Sequence, residues 1–134
     1  MGIYTERNYT LEDAKNACAP EIESWYGNKV LDVFDSSALG PNYRYYCSEA
    51  DQLRMVNGRV ANTSINLMCG LVPSQPDTDP VYDWLEHTST EAGKVHTDYV
   101  QFSKDIAELY ALLKQELASA TTVEQVEAVF YQLV

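Results

Sequence analysis

In the last third of this chain the apolar residues change period. Tyr82 and Trp84 alternate with Asp83 and Leu85, and Val95, Thr97 and Tyr99 alternate again after a polar stretch from Thr88 to Gly93. From Val100 onward Phe102, Ile106, Leu109, Leu113 and Leu117 recur at helical spacing. A two-residue period covers one face of a strand and a 3.6-residue period covers one stripe of a helix, so this third has to supply both. The alternating part predicts an antiparallel hairpin with Ala92-Gly93 in its turn. Thr121 with Glu124, or Thr122 with Gln125, has capping-box spacing and opens a final helix whose Val123, Val126, Val129, Phe130 and Leu133 face inward. On this reading Trp84, Phe102, Ile106, Leu109 and Phe130 share one core beneath the hairpin.

Upstream, Thr10 followed by Leu11, Glu12 and Asp13 reads as a helix N-cap with acids in the first turn. Pro20 either kinks that helix or restarts it before Ile22, Trp25 and Tyr26, and Gly27-Asn28 ends it. Val30, Leu31, Val33 and Phe34 form a run too short for periodicity to decide between strand and helix. Gly40-Pro41-Asn42 is a turn, and Tyr43 to Cys47 is aromatic enough for a strand. Ser48 and Asp51 resemble a capping arrangement ahead of a long helix carrying Leu53, Val56, Val60, Ser64, Leu67 and Leu71. Gly58 weakens this helix by about 1 kcal/mol relative to Ala, which a close contact at that point would explain. The three prolines between Pro73 and Pro80 mark a loop dividing two halves of one domain.

A chain of 134 residues fits a single domain, residues 1–134, with an adequate apolar core. The expected fold class is α+β, a helix-dominated single domain with a small antiparallel hairpin packed on the helices. Nine basic against twenty acidic side chains give a formal charge of -11, which argues against nucleic acid and anionic lipid as partners. Between Val60 and Gly93 there is no Lys or Arg, while Asp77, Asp79, Asp83, Glu86 and Glu91 all fall there. That segment suits a basic protein surface; a solvated acidic loop is the commoner meaning of such a run. No stretch approaches the ~20 apolar residues of a membrane span, and the N-terminus has no apolar signal core, so synthesis in the cytosol is expected. Glu6 stands where a myristoylated Gly2 needs Ser or Thr, and the triplets at Asn8 and Asn62 are read as chance matches to a glycosylation site.

No catalytic set is recognisable. The six glycines lie too far apart for a phosphate-binding loop, and no nucleophile elbow occurs. Cys18, Cys47 and Cys69 are odd in number and widely separated, which reads as buried thiols rather than a disulfide framework. His87 and His96 flank the expected hairpin turn but match no metal signature, and they are read as surface residues. Asp77-x-Asp79 begins like a calcium loop, but Val81 and Tyr82 take the positions that need a ligand and a glycine. No cofactor and no catalytic, metal or cofactor-binding residue is assigned. Ten tyrosines are many for this length, and Tyr43, Arg44, Tyr45 and Tyr46 form the candidate protein-binding cluster, with Asp77, Asp79 and Asp83 as its acidic counterpart.

The run from about Asp13 to Tyr131 resembles a domain of unknown function that recurs in tail proteins of tailed bacteriophages. The matching pieces are Tyr45-Tyr46, Asp51 to Arg54, Trp84, Gly93-Lys94-Val95, Phe102 and the stretch Ala120 to Val126 that opens the last helix. In that family the domain is often joined to other tail-fibre or tail-assembly sequence, whereas this chain carries it almost alone. The resemblance implies no catalytic residue. It implies a non-enzymatic tail-associated structural or assembly protein that binds a larger tail-fibre or baseplate protein, located in the virion tail or in the host cytoplasm during assembly. The alternative reading is a small acidic regulatory protein that masks a basic host protein. Oligomeric state is left open.

Overall fold

The computed structural model describes residues 10–134, and the expectations at Gly2, Glu6 and Asn8 lie outside the described residues. In chain order the elements are α1 (Leu11–Val30), β1 (Val33–Ser36), β2 (Tyr43–Tyr46), α2 (Glu49–Val60), β3 (Ile65–Leu71), β4 (Asp83–His87), α3 (Ser89–Ser119) and α4 (Val123–Tyr131). The class is α+β and helix-dominated, with four helices and one small antiparallel sheet among the described residues. The chain forms two compact units: the described part of Met1–Asn28 with Ile106–Val134, and Lys29–Asp105. Helix α3 contributes to both.

The first unit is helical. Thr10 accepts from the Asp13 N–H at 3.0 Å and gives its own N–H to the Asp13 carboxylate at 3.1 Å, a reciprocal cap that starts α1. The helix continues through Pro20 to Val30, past the expected stop at Gly27-Asn28. Pro20 is exposed, and Ala14, Cys18, Ile22 and Trp25 keep one buried stripe on both sides of it. Leu113, Leu117 and Ala120 of α3 and its exit, with Val126 and Val129 of α4, complete that core. Thr122 caps α4 through the Gln125 N–H.

The second unit is the sheet with α2 and the first half of α3. The strands run in the order β1-β2-β3-β4, every neighbour antiparallel. Side chains alternate across a strand, so Phe34, Tyr45, Leu67 and Cys69 fall on one face and bury against Met55 of α2 and Ala92 and Val95 of α3. The undecided run is split: Val30 closes α1, and Val33 and Phe34 open β1. The long helix expected after Ser48 instead ends at Val60, and Ile65, Leu67 and Cys69 alternate inward as β3. Leu67 and Leu71 fit a helical stripe only if the helix runs on through Asn62-Thr63-Ser64, and it has already ended at Val60.

The expected second hairpin strand is helix. Ala92, Val95, Tyr99 and Phe102 form the inward stripe of α3, and Gly93 lies within that helix, not in a turn. The start of α3 is set by Thr88 and Glu91, which exchange side-chain and backbone bonds at 3.1 and 2.8 Å. The single core expected beneath a hairpin is accordingly two cores: Phe102 packs with the sheet, Ile106 and Phe130 pack with the helical unit, and Leu109 and Trp84 are exposed. Gly58 is where α2 meets its neighbours, with Ile65 and Ala92 against the position a Cβ would take.

Candidate functional site

Strand alternation splits the tyrosine cluster. Tyr43 and Tyr45 point to the helix-covered face, and Tyr45 is 0% exposed. Arg44 and Tyr46 point to the outer face, where Tyr46 is 41% exposed. Tyr45 is therefore a core residue and contributes nothing to a partner surface.

On the outer face the register lines up an apolar row across all four strands. Val33 pairs with Tyr46, and Met68 pairs with Trp84. Tyr46 and Met68 each come next after the Tyr45–Cys69 pair, which joins the two halves of the row. Trp84 is 45% exposed, and the guanidinium of Arg54 from α2 sits 4.7 Å from its ring centroid. Tyr82 stacks on Tyr46 with centroids 4.5 Å apart. The end of the proline loop reaches this face at Gly70, where a Cβ would fall 2.6 Å from the Val81 carbonyl oxygen, so only glycine fits under it. Burial, then the neighbouring Tyr46, raises the Tyr82 phenol above its ordinary range.

Charge surrounds the row. Asp77, Asp79, Asp83 and Glu86 are exposed on the loop and on β4. Asp77 has φ 59°, a left-handed conformation that Asp tolerates in tight turns. Arg44 is held by Asp35 at 2.8 Å, and that hydrogen bond raises its guanidinium pKa further. Arg54 lies 3.5 Å from Asp51. Both cations are partnered within the chain, and the loop acids carry no ion pair among the described residues.

The histidines are not a surface pair. His87 is 0% exposed. Its Nδ1 lies 2.8 Å from the Leu85 carbonyl, which can only accept, so Nδ1 carries the proton and Nε2 accepts from the Tyr45 hydroxyl at 2.7 Å. Burial lowers the His87 pKa, opposed by the Leu85 bond and by Glu91. Its inward placement follows from the strand parity of β4, where it pairs with Ile65, whereas residue 96 lies in α3. His96 is half-buried with Nδ1 2.9 Å from an Arg59 nitrogen; burial and then Arg59 lower its pKa. All three cysteines are free and buried. Burial pushes the Cys47 thiol up to about 12 and the Cys69 thiol up to about 11.

No family model, no curated protein and no solved structure matches the chain.

Proposed function

We propose that this chain is a non-enzymatic protein-binding domain, a bacteriophage tail-associated structural or assembly protein that engages a larger tail-fibre or baseplate protein through the outer face of its sheet. The observation that carries the binding reading is the apolar row from Val33 through Tyr46 and Met68 to Trp84, with both aromatic rings more than 40% exposed and the neighbouring Arg44 and Arg54 already partnered. Large aromatic side chains with a polar rim are the usual anchors of protein interfaces. The phage-tail assignment rests on the resemblance of residues Asp13 to Tyr131. Thiols held protonated by burial support the non-enzymatic reading, because the thiolate is the nucleophile. The acidic segment between Val60 and Gly93, which has no Lys or Arg, favours the second reading, a regulator that masks a basic host protein.

The test is reconstitution with purified tail components. The wild-type chain should co-sediment with one of them, and Tyr46→Ala with Trp84→Ala should abolish this while the folded circular-dichroism spectrum persists. Binding that tolerates both substitutions would remove the outer face as the interface. Capture by a basic host protein, with no tail component bound, would favour the regulator.

A further inference from the structure

The two outer strands of the sheet differ along their free edges. The bond from the Cys47 N–H to the Asp32 carbonyl, 3.2 Å, sets the phase of the β1–β2 ladder. Phe34 and Ser36 therefore turn their main-chain groups toward β2, and Val33 and Asp35 turn theirs away. The bond from the Val72 N–H to the Asn42 carbonyl, 3.0 Å, sets the rest of the sheet in the same manner and leaves Trp84 and Glu86 facing outward on β4. On that edge the Trp84 N–H is already taken by the Asp83 carboxylate at 2.8 Å. On β1 no hydrogen bond among the described residues takes the outward groups of Val33 or Asp35.

A groove of about 750 Å³ runs along β1. Its opposite wall is one face of α3, where Lys94, Asp98, Phe102 and Asp105 recur at spacings of four, four and three. At 1.5 Å per residue that wall is about 16 Å long, the reach of roughly five extended residues. Within the groove Asp35 is neutralised by Arg44, and Asp98 holds Lys94 at 2.7 Å and the Ser36 hydroxyl at 2.6 Å. Asp105 accepts only from the Gln101 amide at 2.8 Å and has no cationic partner among the described residues.

We infer that this groove takes an extended segment of a partner protein, bearing one Lys or Arg, which adds to β1 as a fifth strand with its basic side chain at Asp105. Two outward N–H and two outward C=O groups, on Val33 and Asp35, supply main-chain complementarity that an extended segment meets and a helix, bonded within itself, does not. An open edge is the feature that proteins ordinarily blunt; among the described residues one outward N–H is taken on β4, that of Trp84, and none on β1. The net charge of -11 disfavours a second copy of the chain as the occupant. The site lies at the β1 edge and shares only Val33 with the outer-face row, so loss of tail-protein binding on changing Tyr46 and Trp84 and loss of peptide binding at β1 are distinguishable.

The probe is the peptide acetyl-Thr-Val-Lys-Val-Thr-amide, titrated into the isotope-labelled full chain up to about 5 mM, where even millimolar binding registers. The Val33 and Asp35 amide resonances should shift most, and their hydrogen exchange should slow. The same peptide N-methylated at both valines should produce no shift. Val33→Pro removes an outward N–H at a position where an edge strand tolerates proline, and should weaken binding by about tenfold. Asp105→Asn should weaken binding of this peptide by about threefold and leave the version with Thr in place of Lys unaffected. No shift at β1, or equal binding of the N-methylated peptide, overturns the inference. A dimer of the free protein that Val33→Pro dissociates would overturn it in favour of a second copy.

Discussion

Replacing Gly58 by Ala sets two effects of known sign against each other. In the interior of α2, alanine is favoured over glycine by about 1 kcal/mol, because glycine loses more backbone freedom on folding. At Gly58 the added Cβ would fall 2.8 Å from the Cβ of Ala92 and against Cγ2 of Ile65. Neither neighbour yields easily: Ala92 is fully buried on α3, and Ile65 is β-branched and pinned in the β3 ladder opposite His87. Overpacking of this kind costs about 1–3 kcal/mol, with the upper part of the range expected when two stiff groups must move. Gly58→Ala should therefore destabilise the protein by about 1–2 kcal/mol net. Gly27→Ala is the control. That residue is also helical, nothing lies within 4 Å of its Cβ position, and the substitution should stabilise by about 0.5–1 kcal/mol. Urea titrations followed by circular dichroism would read both. A Gly58→Ala midpoint raised as far as that of Gly27→Ala would show that α2 does not press on β3 and α3 at this point.

Tyr45→Phe leaves His87 Nε2 buried without its donor and should cost about 1–3 kcal/mol in the same titration, whereas an unchanged midpoint would mean that the bond is not formed. The His87 ring, followed by NMR, should titrate below 6.5 because burial opposes its charged form. A base whose folded pKa is depressed is stabilising above its unfolded value, so this contribution is complete above about pH 6.5 and is lost as pH falls toward the folded pKa. A ring that titrates at or above 6.5 would contradict the burial. Cys47 and Cys69, with thiols raised to about 12 and about 11, should react with a disulfide reagent at neutral pH only as fast as the protein unfolds; immediate labelling of either would refute their placement.

Much of the helical structure was legible because its determinants are close in the chain. Thr10 with Asp13, Ser48 with Asp51 and Thr122 with Gln125 cap their helices with residues three apart, and each pair could be read directly. Thr88 with Glu91 is the same signal, and it marks the start of α3. The alternation of Val95, Thr97 and Tyr99 competes with it, although Ala92, Val95, Tyr99 and Phe102 also fit a helical period. Of the tyrosine cluster, the sequence indicated a strand but not which face each side chain would meet. That was decided by pairing: Val33 with Tyr46 and Met68 with Trp84 make one face an apolar row, and the contact of Tyr45 with His87, 42 positions apart, commits the other to the core. Which main-chain groups of β1 and β4 face outward is likewise a consequence of strand order and ladder phase. A cap or a helical stripe depends on neighbours within a turn or two, which composition and spacing contain. Register, burial and edge exposure depend on which distant segments come together, and no local pattern in the chain encodes that choice.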